Sequence, residues 1–220
     1  MKIGVLFDLD GTLLNTLEDL ADAVNYILAQ YGCPQRSEEH VRRSLGNGAE
    51  QLIRLSLPGR EDDPPVAQVL ADYQAYYAAH ARIKTAPYAG IPEALEVLKK
   101  KYPLAIVSNK PDKATKILCK ELFGDIPAWG ESATCPRKPA PDMLRNAMQV
   151  LGVDTCVYVG DSEVDIRTAK NTGVPCVGVL WGFRDRACLE EAGARYLCEN
   201  PADLPEIIEK VIEKEVCNGK

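Results

Sequence analysis

An α/β protein, with a Rossmann-like doubly wound parallel sheet as its core and an inserted all-helical cap, is the architecture this sequence predicts. Three observations carry the prediction. Short, nearly continuous apolar runs of strand length recur along the chain, and such runs belong to strands buried on both faces of a parallel sheet. Helical patterns fill the gaps between them, the alternation of a doubly wound fold. One stretch, from about residue 16 to 82, breaks the alternation with helical patterns alone.

Taken in order, Lys2–Phe7 is the first apolar run and ends at Asp8. The insert follows. Leu17–Tyr31 is apolar at Leu17, Leu20, Ala21, Val24, Ile27 and Leu28, a helical stripe. Ser37 with Glu39 opens a second helix. Gly46-Asn47-Gly48 interrupts, Ala49–Leu57 resumes, and Pro64–Arg82 reads as a long helix rich in alanine and tyrosine. Ile91–Tyr102 is a helix whose Lys99–Lys101 cluster suits the negative end of the dipole. Leu104–Val107 is a second strand, ending at Ser108. Pro111–Phe123 starts on proline and stops before Gly124. Pro141–Leu151 and Glu163–Thr172 stop before Gly152 and Gly173. Cys156–Val159, followed by Gly160-Asp161, is a third strand; Val174–Leu180 and Tyr196–Cys198 are a fourth and a fifth; Leu204–Val216 is a terminal helix. The expected division is a core of residues 1–15 and 83–220 with a cap at 16–82.

The bulk numbers exclude several classes. The 220 residues are 46% hydrophobic and 26% charged, an ordinary globular composition, with a formal net charge of -6. Acidic and basic residues are interspersed, and no basic run or basic-aromatic stripe points to nucleic acid. The 8 cysteines form no CxxC and the histidines, His40 and His80, stand far from any such pair, so zinc is not expected. Cys156 and its like read as small core residues. The chain opens directly on a strand, without a signal peptide or a membrane-length apolar stretch, so a cytoplasmic protein with no membrane partner is expected. Oligomeric state stays open, a homo-oligomer included.

The chemistry lies in where the carboxylates fall. Open α/β sheets bind ligands outside the C-terminal ends of their strands. Asp8 and Asp10 stand at the end of the first strand, Ser108 at the end of the second, and Asp161 at the end of the third with Asp165 four residues on. Lys138 sits in a loop between two prolines and before a helix. An Asp at a strand end is commonly no more than a cap, but here they share one sheet edge. Converging carboxylates repel and would take up protons unless a hard cation joins them, and an oxygen-rich acidic site suits Mg²⁺. Four carboxylates against one Mg²⁺ and one lysine leave about one negative charge, which favours Asp10 holding a proton when an anion binds.

Asp8-Leu9-Asp10-Gly11-Thr12-Leu13, Ser108, Lys138 and Gly160-Asp161-Ser162-Glu163-Val164-Asp165 resemble the four motifs of the haloacid dehalogenase superfamily, in its order and over nearly the whole chain. Within it, Ser108-Asn109-Lys110-Pro111, Arg137-Lys138-Pro139-Ala140-Pro141, Gly178–Arg184 and Gly46-Asn47-Gly48 resemble the phosphoglycolate phosphatase branch. The resemblance implies a Mg²⁺-dependent phosphatase acting on a small phosphorylated metabolite. Asp8 would be the nucleophile, forming an aspartyl-phosphate, and Asp10 the acid and then the base. Mg²⁺ would be held by Asp8, the Asp10 backbone carbonyl and Asp161, with Asp165 a ligand through water or an orienter. Ser108 and Lys138 would bind phosphoryl oxygens, helped by backbone N–H groups near Gly11, Thr12 and Asn109. Asn15-Thr16 departs from the Asp-Ser common in the family, and Ser108 replaces the common Thr.

Asp10 argues against a dehalogenase. The absence of lysine from 16–82 argues against a phosphonate hydrolase, which needs one there. A sugar phosphomutase, a pyrophosphatase or nucleotidase, and a silent phospho-ligand-binding protein stay open. The cap is expected to act as a hinged lid whose Gly46 and Gly48 meet the substrate tail; a plain turn is the competing reading of that loop. Trp181, Phe183 and the Tyr73, Tyr76 and Tyr77 group read as packing. Lys110 is undecided between a surface charge and the site.

Overall fold

The structure, a computed structural model, describes residues 1–57 and 65–217, so the expected start of a helix at Pro64 lies outside the described residues. The chain divides into two compact units, Met1–Leu13 with Pro87–Lys220, and Leu14–Ala86.

The larger unit is the parallel α/β core. Its six strands are β1 (Ile3–Phe7), β4 (Leu104–Pro111), β5 (Ala128–Glu131), β6 (Thr155–Gly160), β7 (Cys176–Val179) and β8 (Tyr196–Cys198). They lie in the order β5-β4-β1-β6-β7-β8. All neighbours are parallel, with Leu6 opposite both Ala105 and Tyr158, so β1 is central. Val5, Leu6, Phe7, Ile106, Val157, Tyr158 and Val159 are fully buried, which explains runs that are apolar on both faces. On one face Leu6, Cys156 and Tyr158 pack with Met143, Leu144, Ala147 and Ala169. The last four come from α7 (Asp142–Leu151) and α8 (Glu163–Thr172). The remaining core helices are α5 (Ile91–Lys99), α6 (Asp112–Phe123), α9 (Arg186–Glu191) and α10 (Leu204–Val211), the last continuing as a π turn over Ile212–Cys217.

Two elements depart from expectation. β4 runs on through Ser108 to Pro111 because the edge strand β5 keeps pairing beyond a register shift, with Pro111 opposite Glu131. β5 itself has no strand signature: it is four residues, Ala-Trp-Gly-Glu, with Trp129 and Glu131 only half-buried.

The smaller unit holds α1 (Leu17–Gln30), α2 (Glu38–Ser44), α3 (Gly48–Ser56) and α4 (Val66–His80). Ser37 caps α2, its side chain accepting from His40 N–H at 3.2 Å. Tyr73 and Tyr77 are buried and stacked on each other, and Tyr76 stacks between Tyr26 and His80. Two short strands, β2 (Leu14–Asn15) and β3 (Ala86–Pro87), pair where the insert leaves and returns; the sequence reading has no strand there. Residues 83–86, expected in the core, group with this unit. The reason is Asp19, a buried carboxylate that accepts from the N–H groups of Ile83, Lys84 and Thr85 at 2.8–3.1 Å. The unit therefore does contain a lysine, Lys84, whose amine pairs with Asp22 at 2.8 Å and Glu18 at 3.3 Å.

Among the described residues no disulfide forms, and Cys119, Cys135, Cys156 and Cys198 are buried. Among the described residues no helix is long and apolar enough to cross a membrane.

Candidate active site

The site gathers at the C-terminal ends of β1, β4 and β6. Carboxylate oxygens of Asp8, Asp161 and Asp165 lie within 4.8 Å of one another, and all three residues are buried. Lys138 is driven between them. Its amine stands 2.7 Å from Asp8 Oδ1 and 2.8 Å from Asp165 Oδ1, and donates to the Tyr158 hydroxyl at 2.9 Å. Tyr158 in turn donates to Asp165 Oδ1 at 2.9 Å. The backbone of Lys138 is pinned by the Asn109 side chain, which accepts from Lys138 N–H at 2.7 Å and donates to its carbonyl at 3.0 Å.

Asp165 occupies the third position of α8. Its Oδ2 accepts from the N–H and the hydroxyl of Ser162, at 3.1 and 2.6 Å, the first being one arm of a capping box. With Lys138 and Tyr158 on Oδ1, four donors occupy its two oxygens, about the capacity of a carboxylate. Asp161 is held more lightly. Its Oδ1 accepts from the Thr12 hydroxyl at 3.1 Å and its Oδ2 from Phe183 N–H at 2.7 Å, which leaves lone pairs on both. Two glycines make room for it: a Cβ at Gly11, where φ is +85°, or at Gly182 would overlap the Asp161 carboxylate. Trp181 closes the loop by donating its indole N–H to Thr12 O at 2.9 Å.

Asp10 faces elsewhere. Its carboxylate accepts from Lys110 at 3.0 and 3.2 Å, and Lys110 is buried. Ser108, also buried, accepts Lys110 N–H on its Oγ at 3.2 Å. The structure thus brings together the predicted Asp8, Asp10, Gly11, Thr12, Ser108, Asn109, Lys138, Asp161 and Asp165. Gly46 and Gly48 belong to the helical unit, with φ of 103° and 83°.

A second buried lysine changes the charge count read from sequence. Four ionised carboxylates and two lysines leave two negative charges, which one divalent cation would balance. Titration tells the same story. Burial, then the Asp165 charge, pushes Asp8 well above its usual range against the pull of Lys138. Burial and Asp165 push Asp161 up to about 7. Burial pulls Lys138 down, yet Asp165 and Asp8 outweigh it and hold it above the ordinary lysine range. Raised carboxyls in an oxygen-only cluster mark a place short of positive charge, and Mg²⁺ fits that donor set.

The same shifts set a pH dependence. In chelator, folded Asp161 holds its proton up to about pH 7, whereas the unfolded chain releases it near 3.8. The folded state then binds more protons across that window, and its stability falls as pH rises. Asp161→Asn removes the fall. Melting curves in EDTA should show the variant gaining on wild type from about pH 4 to about pH 7 and levelling off above. A variant that loses ground as pH rises would contradict the raised carboxyl.

An α/β sheet whose strand tips carry clustered carboxylates and a buried lysine places an acidic centre at the ligand-binding edge of the fold. The chain belongs to the haloacid dehalogenase-like hydrolase family, whose profile matches residues 5–179. Phosphoglycolate phosphatases of Pseudomonas putida and Neisseria meningitidis are 36% and 34% identical to it over 191 and 218 residues, covering 81% and 94% of this chain and 70% and 92% of their own. A solved structure from Lactobacillus delbrueckii subsp. bulgaricus is similar with a TM-score of 0.86 at 37% identity, over 93% of this chain and 97% of that one. CbbY from Rhodobacter sphaeroides, solved in complex with phosphate, is similar with a TM-score of 0.76 at 25% identity, over 95% and 100%.

The sequence reading passes over Tyr158 and the side chain of Asn109, and takes Phe183 for packing alone. Phe183 is buried, but its N–H also holds Asp161. The available signal for Tyr158 is a hydroxyl within an otherwise apolar strand, two residues before its tip.

Proposed function

We propose that the protein is a Mg²⁺-dependent phosphatase that hydrolyses a small phosphate monoester through an aspartyl-phosphate on Asp8. The observation that carries this reading is Lys138, fully desolvated and seated 2.7 Å from Asp8 Oδ1 beside the Asp161 carboxylate. Asp8 attacks phosphorus, the ester P–O bond breaks, and the leaving oxygen takes a proton from Asp10. Water then attacks the aspartyl-phosphate, Asp10 takes its proton, and inorganic phosphate leaves with Asp8 restored. Ser108 and backbone N–H groups near Gly11, Thr12 and Asn109 receive the phosphoryl oxygens, and Lys138 offsets their charge.

Mg²⁺ would be held by Asp8, Asp161 and the Asp10 carbonyl, and would neutralise charge on the transferring group. Asp165, whose oxygens are filled by protein donors, orients Lys138 instead. 2-Phosphoglycolate is the first substrate to test, because similar chains carry that name. Selection among esters is assigned to the helical unit, with the Gly46-Asn47-Gly48 loop the candidate for the substrate tail. Asp22 and Glu18 hold the Lys84 amine above the ordinary lysine range, which disfavours the neutral amine that Schiff-base phosphonate chemistry needs.

The test is release of inorganic phosphate from a panel of small esters. Activity should fall below about one hundredth in excess chelator and return with Mg²⁺, as expected when a metal stabilises the transferred charge. Full activity in chelator would refute the metal assignment, and phosphate returned to a sugar rather than released would mark a mutase.

A further inference from the structure

We propose that Lys110 is the positioning residue for Asp10, holding its carboxylate in place for both proton transfers; the inference rests on the acid-base reading of Asp10 given above. Each of the two aspartates at the tip of β1 has its own lysine. Asp8 meets Lys138, and Asp10 meets Lys110 through both carboxylate oxygens, at 3.0 and 3.2 Å. One ammonium reaching both oxygens acts as a point charge that fixes the place of the carboxylate.

The burial is asymmetric in a telling direction. The Lys110 side chain is 5% exposed and that of Asp10 21%. The ammonium approaches from within the protein and leaves the open side of the carboxylate to whatever enters the site. A pair built only for stability gains little from this arrangement. Burying an ammonium carries a desolvation cost, and apolar replacements of buried pairs are often neutral or better.

The backbone of Lys110 is equally constrained. Its N–H donates to Ser108 Oγ at 3.2 Å and its carbonyl accepts from Thr115 Oγ1 at 3.2 Å. Gly130 on β5 lies so close that a Cβ there would come within 2.5 Å of the Lys110 carbonyl oxygen. The lysine is therefore delivered by an extended strand end that neighbours lock on both sides. The same strand end carries Ser108, so one rigid element serves both the phosphoryl group and the acid-base carboxylate.

A residue that acts only through another loses its effect when that other is gone, so a double-mutant cycle decides the matter. Lys110→Met, Lys110→Arg, Asp10→Asn and the double variant Lys110→Met/Asp10→Asn are assayed with Mg²⁺ on an aryl and an alkyl phosphate. Lys110→Met should lower kcat by roughly tenfold to a hundredfold, the usual effect of a misplaced catalytic group, and more on the alkyl ester. KM and the inhibition constant of inorganic phosphate should stay within about twofold, since ground-state binding is untouched. Lys110→Arg should regain part of the loss, and in the Asp10→Asn background Lys110→Met should cost nothing further. Should Lys110→Met melt below assay temperature, Lys110→Gln carries the same cycle. Full additivity in the double variant, or phosphate inhibition weakened by about tenfold, would overturn the proposal by placing Lys110 on the phosphoryl group. Wild-type kcat in Lys110→Met beside an impaired Asp10→Asn overturns the Lys110 assignment alone. Wild-type activity in Asp10→Asn overturns the acid-base reading and this inference with it.

Discussion

Asp8→Asn should reduce turnover on every phosphate monoester by on the order of 10⁴-fold or more, as removal of a nucleophile does, while the protein stays folded. The amide keeps the size of the side chain and an oxygen that can still accept from Lys138, which stands 2.7 Å from Asp8 Oδ1. What it lacks is the charged oxygen that attacks phosphorus. Stability should not suffer. Burial and Asp165 already push the Asp8 carboxyl well above its usual range, so the metal-free fold bears a cost for ionising it that a neutral amide avoids. The melting temperature in chelator should therefore equal or exceed that of wild type near neutral pH. Steady-state phosphate release and a melting curve check both halves. Turnover within tenfold of wild type, set against the ~10⁴-fold expected, would remove Asp8 from the mechanism.

Lys138→Met should damage fold and activity together. The amine touches Asp8, Asp165 and Tyr158 and is almost wholly buried. Removing one partner of a buried ion pair leaves uncompensated charge and costs about 3–5 kcal/mol. Without the ammonium, which lowers both, Asp8 and Asp161 hold protons to higher pH than in wild type. The folded variant then binds the larger excess of protons, so its deficit in stability grows as pH rises and shrinks in acid. Urea unfolding in chelator at several pH values measures this. A deficit that is constant with pH, or below about 1 kcal/mol, would mean the lysine is a spectator in this cluster.

These residues were legible in sequence to different degrees, and the reasons are physical. Asp8 and Asp161 follow apolar runs of strand length bounded by turn residues, the pattern of buried parallel strands, so their place at the sheet edge is readable from sequence. The helical insert is legible because no strand pattern interrupts residues 16–82, though its end at Ala86 is not. That end depends on Asp19 gathering three N–H groups more than sixty residues away. Lys110 could not be assigned from sequence, since a lysine beyond an apparent strand end is ordinarily solvated. Its burial needs β4 to continue to Pro111, and that continuation needs β5, an edge strand of four mixed residues with no periodicity to announce it. Tyr158 is hidden for the opposite reason: it stands in a strand so apolar that it reads as filling. Its hydroxyl matters only because Lys138 and Asp165 arrive from two other segments. The role of Asp165 was likewise open until its four donors could be counted.

The central claim is the covalent phosphoryl group on Asp8, and acid quenching tests it most directly. Enzyme mixed with Mg²⁺ and a labelled small phosphate ester, then quenched in acid within the first turnovers, should carry label that survives acid and is lost in base or hydroxylamine. Peptide mass analysis should place it on Asp8, and Asp8→Asn should take up none. Label absent from wild type during rapid turnover, or found on another residue, would contradict the account.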